Sequence, residues 1–234
     1  MSTLTAINES QSTSILLPEP LAICANESDK PEVFTDIYRD DTNIAIWQRT
    51  LSDELALAAD EVLKSGARVK IAEAVTAKSV HSTLCNALGD TTAVRMLSDD
   101  ITLLVDMFCC LFDLKEVGLR LTALDRAMCP RFHFDRIPCR LVTTYHGVAT
   151  EWLPHQLVDR SKLGAGNQGK SDEQSGLFDS TDDIRQLSEG DVALLKGEFW
   201  HDNEGAGLVH RSPVQLEDSI NQRRLLLTLD FIND

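Results

Sequence analysis

His133 and Asp135 stand two residues apart in the run Cys129-Pro130-Arg131-Phe132-His133-Phe134-Asp135, and His210 lies far downstream in Leu208-Val209-His210-Arg211. On a β-strand, side chains two apart leave the same face. Two imidazoles and one carboxylate converging on a point form the facial set that holds non-haem Fe(II) and leaves positions open for oxygen and a co-substrate. Metal-dependent oxygenation is therefore the first chemistry to consider. Phe132, Phe134 and Arg136 alternate with the polar pair. An inward-facing polar pair needs a partner such as metal or water, because burying it unpaired is costly. The plainer reading is a surface strand with its polar side in solvent. H-x-D tripeptides arise often by chance, and His210 is what strengthens this one.

Arg223 and Arg224 open the apolar run Leu225-Leu226-Leu227-Thr228-Leu229. Arginine at the mouth of an apolar strand suits anion binding, since guanidinium grips a carboxylate in a two-pronged fork.

A second metal reading uses odd-numbered neighbours. Cys129, His133, Asp135 and Cys139 would share one face of a continuous strand, and such donors can bind Zn(II). Pro130 and Pro138 interrupt regular pairing. On an ideal strand the two cysteines would also be about 33 Å apart. Small buried residues are the preferred reading for them. His81, His155 and His201 read as surface or loop residues, and His146, beside Gly147, as a candidate pocket lining. Trp152 and Trp200 read as packing, and Glu151 and Glu198 have no partner evident in the sequence. There is no phosphate-cradling G-x-x-x-x-G-K-S/T, no G-x-S-x-G elbow and no C-x-x-C.

The elements that must position these residues fall into two textures. Residues 1–30 are polar and aperiodic, which predicts a flexible tail. Short strands are expected at 44–47 and 69–72. Helices are expected from Ser52 to a stop at Gly66, from Thr76 to Leu88, and from Asp99 or Asp100 through Leu111. After Asp113 short strand-like pieces follow at 117–124, 131–136, 139–146, 149–153, 184–188, 191–197, 207–211 and 223–232. The Gly/Ser-rich stretch between Asp159 and Asp183 reads as a lid or a disordered loop. The expectation is an α+β chain in three parts: the tail 1–30, a mainly helical region 31–116, and a β-barrel or sandwich, 117–234, packed with it as one unit.

The order H-x-D, distal His, then Arg resembles the double-stranded β-helix dioxygenases that use Fe(II) and 2-oxoglutarate, over roughly residues 117–232. The resemblance implies a jelly-roll or cupin-like barrel. It implies His133, Asp135 and His210 as iron ligands and Arg224, or alternatively Arg223, as the grip on the distal carboxylate of 2-oxoglutarate. Gly190 to Leu195 looks like the turn and strand entering the distal half of such barrels. Arg224 to Leu229 resembles the last strand of the nucleic-acid dealkylating branch, which tends to carry a second arginine where this chain has Asp230. More narrowly, CPRFHFDRIPCRLVTTYHG, GDVALLKGEFW and GLVHRSP resemble a bacterial family of unknown function, domain of unknown function 1826.

Composition sets the outer limits. The 234 residues carry a formal net charge of −15, with 43% hydrophobic residues. An acidic surface repels phosphate backbones, so a small-molecule or protein substrate is expected rather than nucleic acid. Arg131, Arg136 and Arg140 are a local basic exception. The N-terminus has no basic signal region, and no segment has the ~20 apolar residues of a membrane span, so the expected location is cytoplasmic. Six scattered cysteines read as reduced thiols. The leading expectation is an Fe(II)- and 2-oxoglutarate-dependent oxygenase. Its rivals are a non-catalytic, cupin-like Zn(II) protein of metal homeostasis, and a barrel that has lost its metal and serves as an interaction domain.

Overall fold

The structure is a computed structural model, and it describes residues 22–65, 69–213 and 223–232. The expected stop at Gly66 and most of the expected tail lie outside these residues. Ten strands are described: β1 Cys24–Ser28, β2 Thr42–Trp47, β3 Lys70–Val75, β4 Val117–Leu124, β5 Cys139–His146, β6 Glu151–Leu153, β7 Arg185–Gln186, β8 Val192–Lys196, β9 Val209–Arg211 and β10 Arg224–Asp230. The helices are α1 Asp53–Lys64, α2 Val80–Leu88, α3 Thr92–Phe112 and the single turn α4 Asp172–Ser175. Ser52 caps α1 by accepting the Leu55 N–H, as its position predicted. Helix α3 begins a full two turns earlier than Asp99, because Thr91 accepts the Val94 N–H and Ala93, Val94 and Leu97 already face the core.

Seven strands form one sheet in the order β1-β2-β8-β5-β10-β4-β3, and three short ones form a second, β7-β6-β9. Only the β1–β2 pairing in the larger sheet is parallel. Both faces of the larger sheet are covered, so its central strands are apolar on both sides. On β10, Leu225, Leu227 and Leu229 pack toward α1–α3 with Leu84, Leu104 and Phe108. Leu226, with Val142 and Leu195, faces the small sheet and Trp152.

The chain is α+β, but the N-terminal part is not a helical region set before a barrel. β1, β2 and β3 occupy both edges of the large sheet, and β2 pairs directly with β8. Cys24–Ser28, expected within the tail, is a strand because β2 offers its free edge to it.

Two further expectations change. Residues 131–136 form no strand. Pro130 and Pro138 bracket them, the Phe132 N–H is taken by the Asp172 carboxylate at 2.8 Å, and a single bridge joins His133 to His210. The stretch 159–183 is docked rather than loose. Its short turns bury Leu177 and Phe178 against Phe132, Leu153 and Val209.

Candidate active site

His133 and His210 exchange backbone hydrogen bonds, with N–H to carbonyl distances of 3.0 and 2.9 Å. That pairing sets their rings side by side, with centroids 4.6 Å apart. Each Nδ1 lies against a carbonyl oxygen two residues back, that of Arg131 at 2.9 Å and that of Leu208 at 3.3 Å. A carbonyl only accepts, so both Nδ1 atoms carry the proton and both Nε2 lone pairs are free for a metal. Asp135 completes the group. Its Oδ1 is 3.8 Å from His133 Nε2 and its Oδ2 is 3.5 Å from His210 Nε2. The three donors lie within 4.8 Å of one another, which an ion with bonds of ~2.0–2.2 Å spans after small contractions. Burial, with His133 beside it, pushes the His210 imidazole down to about 4 against the opposing pull of Asp135. His210 is therefore neutral near pH 7, the form that ligates.

The backbone at Asp135 is held by the chain leaving β8. The Glu198 N–H donates to the Asp135 carbonyl at 2.9 Å, and the Gly197 N–H to that of Pro138 at 2.8 Å. A Cβ at Gly197 would lie 2.0 Å from the Ile137 carbonyl oxygen, so this approach requires glycine.

The expected anchor Arg224 enters the same cavity, and Arg223 does not. Arg223 Nη1 donates to the Leu63 carbonyl at 2.6 Å, on the helical side. Arg224 is 3% exposed and donates to Thr144 Oγ1 at 3.1 Å and Thr150 Oγ1 at 2.7 Å. Among the described residues no carboxylate pairs with it. Burial pulls its guanidinium down to about 10. A buried cation with only neutral partners is costly, and a carboxylate ligand would offset that cost. His133, His210, Arg224 and Thr150 line one cavity, open to solvent beside the exposed Met128 and Cys129.

Other residues position this site without having stood out in the sequence. Arg211, next to His210, is bound by Glu151 at 2.6 Å, Glu173 at 3.0 Å and Asp172 at 3.3 Å, and stacks over Phe132. Asp172 also pairs with Arg131. Glu151 thus finds a partner 60 residues away, and Glu198 finds one in Arg160 at 3.1 Å. Such pairings leave no local signal. Cys139 is fully buried on the helical side of β5 and Cys129 stands outside the donor group, so the four-residue zinc reading fails. Among the described residues three donors converge, whereas a closed structural zinc site takes four. His81 and His201 sit on the surface beside Asp99 and Asp202, and His155 is half-buried outside the cavity.

The strand-rich α+β fold has counterparts among solved structures. The dioxygenase for auxin oxidation 1 from Arabidopsis thaliana, in binary complex with 2-oxoglutarate, aligns with a TM-score of 0.50 at 10% identity, over 91% of this chain and 93% of that one. The rice dioxygenase for auxin oxidation gives 0.48 at 12%, over 90% and 83%. A Pseudomonas putida prolyl-4-hydroxylase gives 0.42 at 11%, over 87% and 98%. At such identities the likeness is one of fold. The chain belongs to the family described as protein of unknown function (DUF1826), which matches residues 28–230. No curated protein matches it. Among the described residues no helix is long and apolar enough to cross a membrane.

Proposed function

We propose that this protein is an Fe(II)- and 2-oxoglutarate-dependent oxygenase built on a double-stranded β-helix, acting on a small-molecule or protein substrate. The observation that carries the reading is the convergence of three metal donors, two of which, His133 and His210, line one cavity with a buried arginine that has no carboxylate partner among the described residues. His133 and His210 would present Nε2, and Asp135 a carboxylate oxygen. When bound, iron with 2-oxoglutarate supplies the activation of oxygen and the oxidising equivalents for hydroxylation. The protein's part is geometric. Arg224, steadied by Thr144 and Thr150, holds the distal carboxylate. Val142, Leu195 and Leu226 form the apolar wall that keeps water from it. Residues 31–116 and 117–232 act as one unit in this reading, because β2 and β3 extend the sheet that carries Arg224.

The test is calorimetric titration of 2-oxoglutarate into anaerobic protein with and without Mn(II). Metal-dependent binding is the expected result. Binding that ignores the metal, or no binding with metal present, contradicts the reading.

A further inference from the structure

One oxygen of Asp135 already has a partner. Arg140, from β5, donates its Nη1–H to Asp135 Oδ2 at 2.6 Å. The other side of the same guanidinium is held in a fork by Asp230 on β10, Nε to Oδ1 at 2.7 Å and Nη2 to Oδ2 at 3.0 Å. Arg140 and Asp230 face each other in register across the β5–β10 pair. Asp230 is further met by Arg120 from β4 at 3.0 Å. Acid and base therefore alternate from the donor cluster toward the surface: Asp135, Arg140, Asp230, Arg120. A forked guanidinium cannot shift without breaking bonds at both ends, so it fixes orientation as well as charge.

We propose that Arg140, locked by Asp230, is a positioning residue that would hold Asp135 as a one-oxygen ligand of a bound metal. The proposal rests on the metal reading above. With Oδ2 already accepting from Arg140, Oδ1 is the oxygen left without a hydrogen-bond partner, and closing over an ion with both oxygens would draw Oδ2 away from the Arg140 fork. Asp230 has the second role. Its charge cancels that of Arg140, so the orienting group adds no net positive charge beside a divalent cation. Outer-shell partners of this kind are worth about 10–100-fold in metal affinity.

Co(II), whose visible bands report ligand number and geometry, is the probe. Full-length wild-type protein and the variants Arg140→Gln, Arg140→Lys, Asp230→Asn and Arg140→Gln/Asp230→Asn are titrated with CoCl2 after circular dichroism confirms folding. Arg140→Gln should weaken cobalt binding about 10-fold or more and change the band pattern as Asp135 becomes free to chelate. Arg140→Lys, which keeps the charge but loses the fork, should fall between. Asp230→Asn should weaken binding in the wild-type background and add little to Arg140→Gln, because it acts through Arg140. Wild-type affinity and spectrum in Arg140→Gln would overturn the proposal, as would fully additive effects. If Arg140→Gln does not fold, Arg140→Lys and Asp230→Asn decide by the same criteria. Absence of cobalt binding by the wild type would overturn the metal reading itself, which separates that failure from this one.

Discussion

The imidazoles of His133 and His210 stand together because their backbones exchange two hydrogen bonds, outside any named strand on the His133 side. One isolated bridge is a slender support for a metal centre. The centre's precision therefore depends on what presses residues 131–137 into place, and that can be tested residue by residue.

Gly197 packs so tightly against this segment that a Cβ there would lie 2.0 Å from the Ile137 carbonyl oxygen. Gly197→Ala must push the Ile137 carbonyl away and, with it, the Asp135 backbone bonded to the Glu198 N–H. We expect a destabilisation of about 1–3 kcal/mol in urea denaturation and weaker cobalt binding. Unchanged cobalt affinity would show that Asp135 does not depend on this contact.

Asp172 ties the 159–183 stretch to both histidine-bearing segments, through the Phe132 amide, Arg131 and Arg211. Asp172→Ala leaves a buried amide and two arginines short of a partner. Loss of one member of a buried pair costs about 3–5 kcal/mol, and the low end applies because Glu151 still holds Arg211. Asp172→Asn keeps an acceptor and should cost less. Limited proteolysis should cut the 159–183 stretch faster in Asp172→Ala, and equal cleavage rates would contradict the docking role.

Arg224 carries a cost in the ligand-free protein. Arg224→Met should raise stability by about 1 kcal/mol in urea, leave cobalt affinity unchanged, and abolish 2-oxoglutarate binding. Retained binding of 2-oxoglutarate by this variant would remove Arg224 from the proposed anchor role.

Lys196 is buried, with its Nζ donating to the Arg39 carbonyl at 2.7 Å, and burial holds its pKa below the usual lysine value. The unfolded chain then binds more protons between the lowered value and about 10.5. In that window stability rises with pH, and the cost of burying the charge remains as pH falls below it. The stability of wild type relative to Lys196→Met should therefore increase from pH 7 to pH 10.5. A constant difference would contradict the depressed value.

Much of this was legible where one face or one cap decides. β4 matches the alternation in Val117–Leu124, β5 falls on the strand-like piece 139–146, and Ser52 marks the start of α1. His133, Asp135, His210 and Arg224 were legible as residue types in order; the structure brings the first three side by side and sets His133, His210 and Arg224 around one cavity. What failed was long-range. The expected strand at 131–136 gave way because Asp172, 40 residues on, takes the Phe132 amide. Cys24–Ser28 is a strand because β2 lies beside it, which its polar composition could not show. Arg140 looked like part of a basic cluster, and only the register of β5 against β10 reveals Asp230 as its counterweight.

The central claim is that His133, Asp135 and His210 hold Fe(II) in a form open to 2-oxoglutarate. Anaerobic titration of Fe(II) followed by 2-oxoglutarate, read by visible absorption, tests it most directly. The account predicts a weak charge-transfer band that appears only with both additions and is lost in His133→Ala. Failure of the purified protein to take up Fe(II), or a band that survives His133→Ala, would contradict it.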